Sequence, residues 1–163
     1  MEVIQLNMNG NKIFSQFIHL ASFSEKDNNY YVPKPCINLG YQNFCKNCIE
    51  KEINFLYNAE SRAICIYRIS LLKLLKKIFS DIKNNIMENI DIYEEDVFVK
   101  GKCKKEKYIN IRYLEGNIYY YIKLAEIKDA ARGDYYRIMC AYPVFRENTK
   151  RELNRMFGKV KRN

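Results

Sequence analysis

The sequence predicts an α+β domain in which N-terminal helices pack on a C-terminal four-stranded antiparallel meander, followed by a short C-terminal helix. Three observations predict it. Apolar residues recur at helical spacing through residues 1–90, the period drops to two after Asp91, and a capping-box pattern opens a last amphipathic run at Thr149. At 163 residues the chain can bury one core and needs no second domain. The predicted order is a helical part over 1–90, a sheet over 91–145, a helix over 149–157 and a basic tail over 158–163.

Each element has a local reason. In "NKIFSQFIHLA", Ile13, Phe14, Phe17, Ile18 and Ala21 fall on one helical face behind Asn11 as N-cap. Residues 24–40 hold two prolines among polar turn formers and read as a loop. Phe44, Cys45, Cys48, Ile49, Glu52, Ile53 and Leu56 make a second, mostly apolar helical stripe over 41–58. A long amphipathic helix is predicted over 61–89, with Ile64, Leu71, Leu74, Leu75, Ile78, Ile82 and Ile86 on its stripe. Its lysines, Lys73, Lys76, Lys77 and Lys83, form a solvated face. Four runs rich in β-branched and aromatic residues follow as strands, with turns at Glu115-Gly116-Asn117 and around Gly133.

Period-two alternation sorts the strand residues. Ile109, Ile111, Tyr113, Ile118, Tyr120, Ile122 and Leu124 turn toward the helices. The opposite face presents Arg112, Lys123 and Arg137 among Tyr108, Tyr119, Tyr121 and Tyr135. Cations match phosphate oxygens and tyrosine rings match unstacked bases, so this face is a candidate platform for single-stranded RNA. It equally fits the solvated face of an antiparallel sheet. The same alternation, continued unbroken, places Cys140 and Tyr142 with Ile138 on the helix side, whereas a bulge or twist near Met139 would bring them to the open face.

Lys+Arg exceed Asp+Glu by 28 to 19, for a net charge of +9, which favours polyanionic partners. Tyr 14 and Phe 9 add flat stacking faces, although the richness in Ile, Lys, Asn and Tyr also fits an AT-rich coding sequence. The N-terminus lacks the pattern of a secretory signal, and no apolar run has the length of a membrane span, so a cytoplasmic location without membrane attachment is expected. Scattered glycines form no phosphate-cradling loop, which argues against a nucleotide-dependent enzyme.

The last strand ends in Cys140-Ala141-Tyr142-Pro143. With the helices-then-meander order, this resembles the barnase–EndoU–colicin–RelE superfamily of small endoribonucleases of toxin, phage and mobile-element type. The resemblance covers chiefly residues 92–145. In EndoU-like members the last strand carries Thr or Ser, any residue, Tyr and Pro, with the hydroxyl residue and the tyrosine lining the active site. Tyr142 matches that tyrosine, and Cys140 departs from the pattern by standing in the place of the hydroxyl residue. Lys123 matches the family's lysine on the preceding strand. The implied activity is metal-independent cleavage of single-stranded RNA by ribose 2′-hydroxyl attack, with a cognate inhibitor or immunity protein as a possible partner. EndoU-like members use two histidines, whereas this chain has His19 alone; RelE-like members work with Lys, Arg and Tyr instead. The candidate catalytic set is therefore His19, Lys123, Cys140 and Tyr142, and the candidate RNA contacts are Arg112, Tyr119, Tyr121, Tyr135 and Arg137.

Six cysteines outside a secretory context are expected to be thiols or metal ligands. Cys45 and Cys48 have zinc-ligand spacing, and Cys36 and Cys65 complete a candidate four-thiolate structural zinc set. Buried free thiols are the competing reading, because Cys45 and Cys48 lie on an apolar stripe. No other cofactor is implied. Two further functional readings remain open at this stage: a non-catalytic protein that binds RNA or an acidic partner through the basic aromatic face, and an immunity or interaction protein that needs neither face.

Overall fold

A computed structural model describes residues 3–8, 11–16, 20–24, 54–57, 60–99, 104–131, 133–144 and 147–159. In chain order the strands are β1 Val3–Met8, β2 Asn11–Gln16, β3 Ser22–Ser24, β4 Asn54–Tyr57, β5 Glu60–Ile64, β6 Ile90–Val99, β7 Lys104–Glu115, β8 Ile118–Ile127 and β9 Tyr135–Pro143. Two helices are described in full, α1 Ile66–Lys83 and α2 Glu147–Gly158. The fold is α+β, with a mixed six-stranded sheet in the order β1-β2-β9-β8-β7-β6 and a separate three-stranded sheet in the order β3-β5-β4.

The meander of β6 to β9 forms with every neighbouring pair antiparallel. Gly116 and Gly133 take positive φ at the two turns read from the sequence, where a side chain would be strained. The stripe of α1 packs on one sheet face: Leu71, Leu74, Leu75, Ile78, Phe79 and Ile82 join Ile109, Ile111, Tyr113, Tyr120, Ile122, Leu124 and Ile138 in one core. Burying each such side chain contributes about 1.5–3 kcal/mol, so this layer is the main source of stability.

Three expectations for the helical part are corrected. Residues 11–16 form β2 rather than a helix. Ile13 and Phe14 suit either period over so short a run, and what decides is the sheet. The open edge of β9 takes β2 as a parallel partner, Lys12 to Phe14 beside Tyr135 to Arg137, while β1 pairs antiparallel with β2. Met8 pairs with Asn11 across Asn9-Gly10, a strong hairpin signal that the helical reading passed over. The second predicted helix lies outside the described residues except at its end, where Asn54–Tyr57 is strand β4. The long helix begins at Ile66 instead of Ser61, because residues 60–64 pair with both β3 and β4.

The same helix ends at Lys83, with the Ile86 N–H donating to the Asp81 carbonyl at 2.8 Å, the Asn85 N–H to that of Ile82 at 3.1 Å, and Asn85 at φ 58. These two bonds and the left-handed residue form a Schellman stop, and Ile86 beyond it is exposed. The C-terminal helix starts at Glu147, so Thr149 lies inside the first turn and is not its cap. A negative Glu147 in that turn suits the positive end of the helix dipole.

Candidate nucleic-acid interface

The face of the sheet turned away from α1 is laid out by cross-strand register, in rows of side chains about 4.8 Å apart. One row runs Asp91, Arg112, Tyr121, Tyr142. The next runs Tyr93, Asn110, Lys123, Cys140, and a third runs Glu95, Tyr108, Ala125, Arg137, Phe14. Tyr135 and Lys12 lie beside each other one step further on.

Cys140 and Tyr142 reach this face through a β-bulge. Leu124 pairs with Ile138 but Lys123 pairs with Cys140, so Met139 is an extra residue in β9. Alternation restarts after it: Ile138 and Ala141 both enter the α1 core, while Cys140 and Tyr142 pack with the opposite cluster. Of the two readings of this strand, the bulge near Met139 is the one found, and the unbroken alternation that put Cys140 and Tyr142 toward the helices is not. Cys140 lies opposite Lys123, and the Tyr142 ring meets the Tyr121 ring edge-on at 5.7 Å. Arg68, from the first turn of α1, stands 5.8 Å over the Tyr142 ring.

Half of this face is covered, which the sequence reading did not expect. Leu153 and Phe157 of α2 are buried against Tyr121 and Val144, with Tyr93, Tyr119, Cys140 and Tyr142 around them. Arg112 is buried here. Its Nε and Nη2 donate to Asp91 Oδ2 at 3.0 and 2.6 Å, its Nη1 donates to Asn154 Oδ1 at 2.6 Å, and its guanidinium lies 4.8 Å over Phe157. Tyr119 donates its hydroxyl to the same Asn154 oxygen at 3.0 Å. Arg112, Tyr119 and Tyr121, expected as RNA contacts, therefore lie in the covered half as anchors of α2.

Beneath the centre is a polar chain. Tyr121 donates its hydroxyl to Asn110 Oδ1 at 2.6 Å, and Asn110 Nδ2 donates to the Tyr93 carbonyl at 3.3 Å and to Glu95 Oε1 at 3.2 Å. Asn110 is fully buried with both ends of its amide satisfied, the condition under which such a group is tolerated. Lys123 donates to the same Glu95 oxygen at 3.1 Å and sits 4.3 Å over the Tyr108 ring. The uncovered half is what remains around it: Tyr108, Lys123, Arg137, Tyr135, Phe14 and Lys12. Phe14 and Tyr135 meet edge-on at 5.4 Å, and Lys12 and Arg137 are exposed without a carboxylate partner among the described residues.

Burial pushes the Cys140 thiol up to about 11, outweighing the backbone hydrogen bond at Lys123 and the positive charges of Lys123 and Arg68. Burial likewise raises the Tyr121 hydroxyl. Cys140 is thus a protonated thiol near neutral pH and no nucleophile. Alkylation of Cys140 by iodoacetamide, followed peptide by peptide, is expected to run about 100-fold slower at neutral pH than for an unfolded control. Because the folded thiol holds its proton more tightly, its contribution to stability is complete below about pH 9 and lost as pH rises through about 11.

His19 lies outside the described residues, as do Cys36, Cys45, Cys48 and Cys103. Cys65 is buried between β5 and α1, with its N–H donating to the Ala21 carbonyl at 2.9 Å. Among the described residues no three His, Cys, Asp or Glu side chains group as a metal site, and no helix is long and apolar enough to cross a membrane. Sequence reasoning missed Glu95, Asn110, Asn154 and Phe157. Only the buried apolar pair Leu153 and Phe157, at i and i+4 on α2, carried a signal that this helix needs a surface to cover. No protein-family model matches the chain, and neither a curated protein nor a solved structure is significantly similar to it.

Proposed function

We propose that the chain is a metal-independent ribonuclease-type domain that holds single-stranded RNA along the uncovered half of its sheet. The observation that carries the reading is the bulge at Met139, which turns Cys140 and Tyr142 onto the sheet face that holds Lys123 and Arg137, where they pack beside α2 at the border of the covered half. The exposed cations Lys12 and Arg137 suit phosphates, and Tyr108, Tyr135 and Phe14 offer rings to unstacked bases, each stack worth about 1–3 kcal/mol. In the cleavage step the 2′-hydroxyl gives up its proton and bonds to the adjacent phosphorus. The bond to the 5′-oxygen then breaks as that oxygen takes a proton, leaving a 2′,3′-cyclic phosphate and a 5′-hydroxyl. In this reading His19 and Tyr142 are the groups assigned to proton transfer and Lys123 and Arg137 to charge neutralisation, with Cys140 as an S–H donor beside them.

A second reading, RNA binding without cleavage, is favoured by one observation: Glu95 already engages Lys123 beside a thiol that keeps its proton. Incubation of labelled single-stranded RNAs with EDTA present separates the two. Cyclic-phosphate ends, with cleavage lowered about 100-fold by Tyr142→Phe at unchanged melting temperature, support the enzyme. Retention of intact RNA supports the binder. Neither binding nor cleavage overturns both and leaves an interaction or immunity protein.

A further inference from the structure

The lysine face of α1 is not absorbed by the sheet site. Its apolar stripe from Leu71 to Ile82 is buried, while Lys73, Lys76 and Lys83 are exposed. At 100° per residue these three lie within about 80° of one another around the axis, and Lys73 and Lys83 are about 15 Å apart along it. Ser80 falls among them and no acidic residue does. Asp81, on the opposite flank, pairs with Lys77 at 3.0 Å.

These lysines contrast with most cations of the sheet. Glu94 pairs with Lys107, Asp91 with Arg112, Glu95 with Lys123, and Glu126 and Asp134 with Lys128. Lys73, Lys76 and Lys83 have no carboxylate partner among the described residues. Part of the chain's positive excess is therefore concentrated as a one-signed strip on the side of α1 that faces away from the sheet. The helix's apolar stripe is already in the core, and the apolar side chains left exposed near the lysines lie at opposite ends of α1, Ile69 in its first turns and Ile86 and Met87 past its last, so they form no continuous face for a bilayer.

We propose that this strip is a second nucleic-acid contact, which takes the sugar–phosphate backbone of a long RNA without reading its sequence. It adds to the sheet site and rests on that reading: the first turn of α1 already reaches the sheet face through Arg68 over Tyr142, and the lysines continue along the helix from there. Three phosphates neutralised here account for about 2 units of the slope of log affinity against log salt, at about 0.7 each for a single strand.

The test uses the full chain with Lys73→Gln, Lys76→Gln and Lys83→Gln combined, and the corresponding triple Lys→Arg variant. Affinity for a long single-stranded RNA is measured across salt, and sedimentation with phosphatidylserine–phosphatidylcholine vesicles is measured alongside. The expected result is a slope shallower by about 2 and affinity lowered at least about tenfold at low salt for the Gln variant, with the Arg variant like wild type. A wild-type slope in the Gln variant overturns the proposal. So does a loss confined to vesicle binding, which would assign the strip to an anionic membrane surface.

Discussion

Ala141→Asp is expected to cost about 4 kcal/mol and to lower the melting temperature by more than about 10 °C. Ala141 is 4% exposed, pairs with Ile122 and belongs to the core beneath α1, so a carboxylate there meets only apolar neighbours. Unbroken alternation along β9 gives the opposite result, because it turns Ala141 outward and Cys140 inward. The bulge also makes a milder prediction: deleting Met139 leaves Leu124 opposite Ile138 and Lys123 opposite Cys140 as consecutive pairs, so the protein stays folded. A folded Ala141→Asp protein with an unfolded Met139 deletion would remove the bulge, and with it the site.

Arg112→Ala is the second large effect, expected at about 3 kcal/mol and a melting temperature lower by about 6–12 °C. The substitution takes the guanidinium from Asp91, whose side chain is 27% exposed, and from Asn154 and Phe157, which hold α2 on the sheet. The partial exposure of Asp91 puts the effect at the low end for a buried ion pair. In the still-folded variant the salt dependence of RNA binding should match wild type. A stable Arg112→Ala protein with a shallower salt slope would instead make Arg112 a phosphate contact.

The meander and the stripe of α1 were legible in the sequence because each is a long periodic run whose period is set by its own backbone. β2 was not legible as a strand. Its six residues suit two periods, and its identity comes from the edge of β9, more than a hundred residues away in the chain. Lys123, Arg137 and the tyrosines were assigned to the correct face by counting in twos, and the count failed only past Met139, where an extra residue is invisible to it. Arg112 shows a different limit: alternation gives the face a side chain leaves from, while burial depends on α2 covering it. Likewise the pairing of Lys123 with Glu95 follows from register between strands, which neither strand's sequence displays alone.

The claim that the uncovered half of the sheet holds RNA meets its most direct test at Arg137, an exposed cation in the same row as Tyr108 and Phe14. Binding of a short single-stranded RNA to wild type and to Arg137→Ala is measured at several salt concentrations. The account predicts several-fold weaker binding and a slope shallower by about 0.7 at an unchanged melting temperature. Identical affinity and slope in the two proteins would contradict it.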